Sequence, residues 1–367
     1  MKIKKKKIRD ICTKGTSSLS LKDLDGKDGD FPVYGAAGLA KKVNFYQQEN
    51  KYLAIIKDGS GVGRLYRFDG KTSVLGTMQY IFPSDSIDYS FCYYALQSID
   101  FKKYVNGAAI PHIYFKDYSQ EEIPLPAMEE QKKIAARLDA VSDLLAKQKQ
   151  LLSEQDNLIQ STFYDMFGDP IKNEKGWKIE KLSSVSDSRL GKMLDAKKQN
   201  EANQYPYLAN YNVQWFCFNL SDVRKMSFDH NEKCEFELKK GDVLVCEGGD
   251  VGRCAIWKEQ IQECYFQKAL HRVRCNPNFL NPIFLMHLFY NISICNGFEK
   301  IVGNKATIAH LTGVKLKALE IPVPQLELQQ KFAAVAEQIE SEKSKIKSTI
   351  AETQTLFNAL MAEYFEE

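Results

Sequence analysis

Apolar positions recur every seven residues over a long stretch in the middle of this chain. From Glu129 to about Phe167 the apolar positions are Leu138, Leu145, Leu152, Ile159 and Met166. The stretch is rich in Glu, Lys, Gln, Leu and Ala, and no glycine or proline interrupts it until Gly168–Pro170. Such residues favour helix, and a seven-residue apolar repeat is typical of a coiled-coil seam. The pattern therefore predicts one long helix with an apolar rail.

A second helix of the same kind is predicted towards the C-terminal side of the sequence. Its apolar rails include Phe332, Ile339, Ile346 and Phe357. Because each helix needs a partner for its apolar stripe, we expect the two to pack on each other, antiparallel. A run of about 35 helical residues at about 1.5 Å each is roughly 50 Å long. An unrelated helix capping each module is the alternative, but it does not explain two helices of equal length and register.

The chain repeats itself. The sequence IPLP at 123–126 returns as IPVP at 321–324, an offset of 321 − 123 = 198. The same offset pairs Gln131 with Gln329 and His112 with His310. The sequence GVGR at 61–64 matches DVGR at 250–253, an offset of 250 − 61 = 189. The order globular, helix, globular, helix is therefore one module present twice.

The glycine-rich stretch KYLAIIKDGSGVGRLYRF at 51–68 raises the question of a nucleotide-binding loop. A dinucleotide fingerprint needs a strand, a glycine turn and then a helix. Here RLYRF follows the first glycine loop and RCAIW follows the second, and both runs are typical of strands. Both loops are therefore predicted to be hairpin turns. In such a turn the backbone approaches a polyanion closely, and Arg reaches a phosphate or a guanine edge.

Bulk composition narrows the class of protein. The chain has 367 residues, 44% of them hydrophobic, and a net charge of only +3, so total charge does not indicate a nucleic-acid binder. The basic start MKIKKKKIRD fits either a phosphate contact or a solvated terminus. Nine cysteines without a CxxC pair predict free thiols in a reducing cytosol and no zinc site. The most apolar segment, 282–295, is too short to span a bilayer, so a cytoplasmic protein is expected.

Enzyme signatures are weak. NPNF at 276–279 and NPIF at 281–284 resemble the Asn-Pro-Pro-aromatic loop of DNA adenine methyltransferases, but the second proline is missing in both. Asn281 as a helix N-cap, with Pro282 in the first turn, is the favoured interpretation. The Glu-x-Lys triplets at 49–51 and 237–239 fit surface charge better than a nuclease site. We therefore predict no catalytic residue, cofactor site or metal site.

The two predicted heads carry side chains suited to DNA. Lys and Arg anchor phosphates, whereas Arg, Asn and Gln read base edges in the major groove. For His112 and His310 a DNA contact and a loop-orienting role remain equally open. The candidate DNA contacts are Lys57, Ser60, Arg64, Asn106, His112, Asn210, Tyr211, Arg253, Lys268, His271, Arg272, Lys305 and His310. Substitution Arg253→Ala is expected to weaken binding or to alter one half-site only. At about 3.4 Å per base pair, a roughly 50 Å helix pair spans on the order of fifteen base pairs of a split, asymmetric site.

Taken in order, these motifs resemble those of type I restriction–modification DNA specificity subunits, over nearly the whole chain. The resemblance rests on the IPLP and IPVP strand exits, each followed by Glu-x-Gln, and on a long helix after each. The other matching segments are FPVYGAAG (31–38), FGDP (167–170) leading to Trp177, YPYLANYNV (205–213) and KKGDVLVCEGGDVGR (239–253).

Strands around the glycine loops, a helix near Tyr89–Lys103 and its counterpart near Pro282–Asn291 predict a mixed α/β (α+β) tandem repeat, and antiparallel packing of the repeats gives it pseudo-two-fold symmetry. The resemblance implies how this repeat is divided. Two target recognition domains, 1–122 and 168–320, would be separated by conserved helical spacers, 123–167 and 321–367. The partners it implies are double-stranded DNA, modification (methyltransferase) subunits and restriction/translocase subunits. Adenine methylation with S-adenosylmethionine would belong to those partners, so this chain would hold no cofactor. A coiled-coil scaffold and a stand-alone DNA adenine methyltransferase are the alternatives.

Overall fold

The computed structural model describes residues 4–107, 109–194, 203–298 and 310–366. It folds as two compact units: unit 1 comprises 1–151 and 346–367, and unit 2 comprises 152–345. The two long helices, α4 (Met128–Phe167) and α9 (Leu326–Phe365), each contribute residues to both units. Each has 40 residues, so each is about 60 Å long at about 1.5 Å per residue. The prediction of two long helices of equal length is confirmed.

Unit 1 contains a head built from three small sheets. Two strands pair in the order β1–β9, four in the order β2–β8–β5–β6 and three in the order β4–β3–β7. Its helices besides the long pair are α1 (Ile8–Ile11), α2 (Tyr89–Gln97) and α3 (Phe115–Tyr118). Its strands are β1 (Lys5–Lys7), β2 (Cys12–Thr16), β3 (Asp28–Gly35), β4 (Gly38–Val43), β5 (Tyr52–Ile56), β6 (Leu65–Phe68), β7 (Ser73–Val74), β8 (Met78–Pro83) and β9 (Glu122–Pro124).

Unit 2 repeats this plan strand for strand. Its sheets have the orders β10–β18, β11–β17–β14–β15 and β13–β12–β16. Its helices are α5 (Leu182–Val185), α6 (His230–Phe236), α7 (Pro282–Ile294) and α8 (Gly313–Ala318). Its strands are β10 (Lys178–Lys181), β11 (Ser186–Leu190), β12 (Gln204–Leu208), β13 (Arg224–Ser227), β14 (Val243–Cys246), β15 (Cys254–Ile256), β16 (Tyr265–Phe266), β17 (Leu270–Cys275) and β18 (Glu320–Val323). The predicted mixed α/β tandem repeat is therefore confirmed.

Within unit 1 the helix pair runs antiparallel. Arg137 donates a 2.9 Å hydrogen bond to the Tyr364 hydroxyl, and Gln148 donates a 3.1 Å bond to Thr353. Residue numbers along α4 therefore increase in the direction in which residue numbers along α9 decrease. The seam residue Leu138 is fully buried in the core of the head, against which Phe357 also packs. The core of this head is thus continuous with its part of the helix pair.

The same antiparallel packing occurs within unit 2. The Lys343 Nζ lies 2.6 Å from a carboxylate oxygen of Asp156, and the Phe163 and Phe332 rings meet edge to face. Ile159, Phe332 and Ile339 are buried in one core with α7. Not every predicted seam position is equally covered. Leu138, Leu145, Ile159, Phe332 and Ile339 are buried, whereas Leu152, Ile346 and Phe357 are only half-buried.

An ion pair also ties the head of unit 1 to its helix. Arg67 on β6 approaches Asp139 on α4 at 2.5 Å, and Tyr94 on α2 donates a 2.7 Å bond to the same carboxylate. Partial burial alone would raise the pKa of Asp139, but the bonds from Arg67 and Tyr94 lower it overall. The head is therefore held to α4 by a charge-assisted contact as well as by apolar packing.

Two head helices match their predicted starts but differ in extent. The helix predicted over Tyr89–Lys103 ends at Gln97, because Asp100 begins a separate 3-10 turn at Phe101–Tyr104 and accepts a bond from the Lys102 N–H. The Asn281 cap is confirmed, since its side chain accepts from the N–H of Ile283 at 2.8 Å. All nine cysteines are free thiols, as predicted. Across the described residues, no helix is long and apolar enough to cross a membrane.

His287 on α7 makes the fold of unit 2 sensitive to acid. Its ring lies between those of Phe216 and Phe332 and is almost fully buried. Burial lowers its pKa from the ordinary 6.5 to about 3. The folded state therefore resists a proton that the unfolded chain accepts, and stability is lost as the pH falls from about 6.5 towards 3.

We predict that His287→Leu removes this part of the acid sensitivity. Between pH 7 and pH 5 the difference in protonation amounts to about 2 kcal/mol of unfolding free energy. Urea unfolding at the two pH values measures it, and tryptophan fluorescence reports on unit 2 because Trp177, Trp215 and Trp257 all lie there. The matched control is His230→Gln at an exposed histidine. An equal pH dependence in His287→Leu and the wild type would refute the assignment.

Candidate nucleic-acid interface

A tight glycine hairpin joins β5 to β6 in unit 1. The Ile56 N–H donates to the Arg64 carbonyl and the Gly63 N–H donates to the Ile56 carbonyl, both at 2.9 Å. Gly63 has a φ of +89°, and a Cβ there would lie 2.8 Å from the Phe101 side chain. Only glycine therefore fits between the turn and Phe101. The prediction of a strand–turn–strand hairpin, and not a nucleotide loop, is confirmed.

A second loop lies against this hairpin. The Gly59 N–H donates to the Pro111 carbonyl at 2.8 Å, and the Ile113 N–H donates to the Lys57 carbonyl at 2.9 Å. Asn106 and His112 exchange two backbone bonds of 2.8 and 2.9 Å, which close the loop on itself. The backbone thus brings together five residues predicted from widely separated parts of the sequence. We call Lys57, Ser60, Arg64, Asn106 and His112 loop cluster 1.

The side chains of loop cluster 1 are available to a ligand to different degrees. Ser60, Arg64 and Asn106 are exposed. Lys57 is partly exposed and pairs with Asp58 at 2.9 Å. The His112 ring is half-buried, stacks edge to face on Tyr114 and lies 3.3 Å from the Ile110 carbonyl. The cluster therefore presents a cation, an amide and a hydroxyl on a rigid backbone.

Unit 2 builds the same hairpin between β14 and β15. The Cys246 N–H donates to the Arg253 carbonyl at 2.8 Å, and the Gly252 N–H donates to the Cys246 carbonyl at 3.1 Å. Gly252 has a φ of +83° and packs on Phe298, as Gly63 packs on Phe101. The supporting phenylalanines were not predicted from the sequence. Their separation, 298 − 101 = 197, falls one residue short of the repeat offset and is the signal that points to them.

The histidines predicted to be equivalent do occupy matching places. Ile113, which follows His112, donates to the first residue of its glycine loop, Lys57. Leu311, which follows His310, donates at 2.7 Å to the first residue of the other loop, Glu247. His310 is exposed. The same backbone position thus carries a lysine in unit 1 and a glutamate in unit 2.

Arg253 is turned inward, unlike Arg64. Its guanidinium donates to the carbonyl and to the side-chain oxygen of Asn210 at 3.2 and 3.0 Å. The Asn210 amide in turn donates to the Gly248 carbonyl at 3.0 Å. Only 18% of the Arg253 side chain is exposed, so these bonds hold the hairpin and the 210 loop together. A role for Arg253 or Asn210 at one half-site stays a prediction, and the geometry favours an indirect one.

Tyr211, Lys268 and His310 are the exposed candidates of unit 2. Arg224 lies over the Tyr211 ring at 5.2 Å. Lys268 sits in the β16–β17 connection, where its N–H donates to the Lys192 carbonyl. Lys305 lies outside the described residues.

Two predicted DNA contacts need correction. His271 is buried in the four-stranded sheet, and its ring nitrogen lies 2.9 Å from the Leu311 carbonyl. Burial lowers its pKa. Arg272 is also buried and pairs with Asp187 at 2.6 Å. Neither side chain is accessible to DNA in this structure: β17 is paired on both sides, and the opposite sheet faces to which these neighbouring residues point are both covered.

The enzyme-like motif NPIF has a structural role in this fold. The Asn281 oxygen of NPIF caps α7 and is committed to the Ile283 and Phe284 N–H groups, so it does not form a base-holding loop. In the described ranges no group of three His, Cys, Asp or Glu side chains could hold a metal ion. The hairpin of unit 1 presents the exposed Ser60 and Arg64, whereas the hairpin of unit 2 exposes Asp250 and covers Arg253.

The chain belongs to the type I restriction modification DNA specificity family. The model of that domain matches residues 2–154 and 174–353, which is most of the sequence. The protein of Haemophilus influenzae named type I restriction enzyme specificity subunit S.HindORF215P is 22% identical over 85% of this chain and 81% of its own length. The MjaVIII specificity subunit of Methanocaldococcus jannaschii is 25% identical over 80% and 72%.

Solved structures support the fold assignment. The S subunit of a type I restriction–modification system from M. genitalium superimposes with a TM-score of 0.67 at 16% identity, covering 99% of this chain and 96% of that one. A chain from a study of complex assembly in a type I system gives 0.56 at the same identity. The fold class predicted from the sequence is thereby confirmed.

We predict that Arg64→Ala weakens DNA binding by the assembled complex without lowering its stability. Loss of one phosphate contact reduces the slope of log affinity against log salt by about one. Titration of labelled duplex at several salt concentrations measures both quantities. Lys22→Ala, at an exposed lysine outside loop cluster 1 and the long helices, serves as the control. An unchanged affinity and salt slope would remove Arg64 from the interface.

Proposed function

We propose that this chain is the DNA specificity subunit of a type I restriction–modification complex and that each head recognises one part of a bipartite, asymmetric site. Family membership supports the DNA specificity role. The relatives' names, type I restriction enzyme specificity subunits, support the assembly in which that role is exercised. The chain acts by binding and leaves catalysis to its partners.

The observation that carries the proposal is one scaffold with two unlike surfaces. Both heads hold a glycine hairpin on a phenylalanine, and in both the residue after a histidine, Ile113 or Leu311, donates a backbone bond to that hairpin. Yet Lys57 is replaced by Glu247 at the equivalent backbone position, and the exposed Arg64 by the covered Arg253. Two heads with the same strand order and different side chains suit two different DNA sequences.

The four segments of the chain divide this work. We assign DNA recognition to 1–122 and 168–320, and docking and spacing to 123–167 and 321–367. Partner modification subunits supply adenine methylation with S-adenosylmethionine, and restriction/translocase subunits supply translocation and cleavage. One solved structure similar to this chain comes from work on complex assembly in a type I system, which fits a chain built to hold partners.

A row of exposed leucines on α4 is the surface best suited to a partner. Leu144, Leu151 and Leu158 recur every seven residues and are 46%, 43% and 48% exposed. They lie one position before the seam residues Leu145, Leu152 and Ile159, so they form a separate stripe. An apolar stripe that recurs every seven residues along a helix is suited to packing against another helix. We assign it to a helical segment of a modification subunit.

We predict that Leu151→Lys lowers co-purification of the modification subunit, because it places a charge in the middle of the stripe. Pull-down from cells that express both proteins measures the loss. Leu21→Lys, at a 63% exposed leucine outside the long helices, is the matched control. Equal recovery of the partner with both variants would contradict a docking role for the stripe.

The proposed function is tested by expressing the chain with its cognate modification subunit in a host free of DNA methylation. Methylated adenines are then mapped across the genome. We expect a split, asymmetric motif that appears only when this chain is present. A soluble complex that adds no methylation would favour the scaffold alternative. Methyl transfer by the purified chain alone would favour the stand-alone methyltransferase.

A further inference from the structure

Two buried glutamines occupy equivalent places at the starts of the long helices. Gln131 on α4 and Gln329 on α9 are separated by the repeat offset, 329 − 131 = 198, and are 1% and 0% exposed. A buried amide is costly unless its polar atoms are bonded. Each side-chain amide accepts a hydrogen bond through its oxygen and donates through its nitrogen, and the two glutamines bond equivalent groups.

In unit 1, Gln131 joins three segments. Its Oε1 accepts from the N–H of Asp88 at 2.8 Å, and its Nε2 donates to the Pro126 carbonyl at 2.9 Å. The same nitrogen lies 3.4 Å from the Ser86 carbonyl. Asp88 is the N-cap of α2, and its carboxylate accepts from the Phe91 N–H. One side chain thus connects the long helix, the strand exit and the first turn of the head helix.

In unit 2, Gln329 repeats each of these bonds. Its Oε1 accepts from the N–H of Asn281, the N-cap of α7, at 2.9 Å. Its Nε2 donates to the Pro324 carbonyl at 2.7 Å and to the Phe279 carbonyl at 3.0 Å. The repetition extends to the role of every partner: an N-cap N–H, a strand-exit proline and a carbonyl just before the head helix.

A short path of contacts leads from each glutamine to a glycine hairpin. Helix α2 is followed by the 3-10 turn that carries Phe101, which packs on Gly63 beside Arg64. In unit 2, α7 is followed by Phe298, which packs on Gly252 beside Arg253. The orientation of each head helix therefore bears directly on where its hairpin lies.

We propose that Gln131 and Gln329 are positioning residues for DNA recognition, each fixing the orientation of one head on its long helix. This inference rests on the proposed function. Each acts only on the half-site that its own head reads, because its bonds stay within its own unit. Methionine matches the shape but supplies neither the acceptor nor the donor, and glutamate supplies the acceptor alone.

The test uses Gln131→Met and Gln329→Met in the complex with the modification subunit. Methylation rates are measured on sites altered in one half-site or the other. The half-site of unit 1 is identified by cross-linking DNA to a photoreactive residue placed at the exposed Ser60 of loop cluster 1. Loss of the buried bonds should lower discrimination roughly five- to tenfold at one half-site. Gln131→Met is expected to affect the half-site of unit 1 and Gln329→Met the other.

Three controls separate positioning from simple damage. Gln330→Met changes an exposed glutamine beside Gln329 and should leave both half-sites unaltered. Gln131→Glu and Gln329→Glu keep the acceptor but set a second oxygen against two carbonyls, and should lower discrimination at the same half-site as the methionine variants. If a methionine variant does not fold, this glutamate pair carries the test. Equal losses at both half-sites, or full discrimination in a folded variant, would overturn the proposal.

Amide hydrogen exchange tests the bonds without reference to DNA. The Asp88 N–H should exchange faster in Gln131→Met than in the wild type, with the Asn281 N–H unchanged, and the reverse should hold for Gln329→Met. Unaltered exchange at both amides would overturn the proposal. The two proposals can fail separately. If the wild-type complex methylates no split motif, the proposed function is contradicted. If the variants still differ from the wild type in amide exchange, the positioning of the heads remains supported.

Discussion

The structure depends on an apolar seam that neither long helix can bury alone. An isolated 40-residue amphipathic helix would expose one stripe throughout, so each helix is stable only against its partner. Antiparallel pairing covers the apolar stripe of each helix with that of the other. Phe332 and Ile339 then merge with the core of one head, and Leu138 with the core of the other. Each head therefore packs on its own part of the helix pair.

On these supports one scaffold carries two different surfaces. The features that both halves of the repeat share are internal contacts: glycine on phenylalanine, and a buried glutamine bonded to the strand-exit proline. The parts that differ are at the hairpins. Lys57 of unit 1 corresponds to Glu247 of unit 2, and the exposed Arg64 corresponds to the covered Arg253. This division lets recognition residues change while the backbone that positions them stays constant, which is the property a family of specificity subunits requires.

The sequence predicted the long helices, the hairpins and the repeat, because each leaves a local or periodic signal. The sequence signals for the Asn281 cap and for the end of α4 at Phe167 were also local. Burial of individual polar residues was less predictable: His271 and Arg272 look like DNA contacts, but the pairing of β17 between β11 and β14 encloses them. The inward turn of Arg253 depends on Asn210, 43 residues away. The role of Gln131 and Gln329 also requires tertiary contacts, although their offset marked them as equivalent.

The central claim, that two heads recognise two separate and different half-sites, is tested most directly by selecting DNA from a random duplex library with the purified complex of this chain and its modification subunit. The account predicts two enriched blocks of different sequence, separated by positions without preference. A single continuous block, two identical blocks in a palindrome, or no enrichment at all would contradict it.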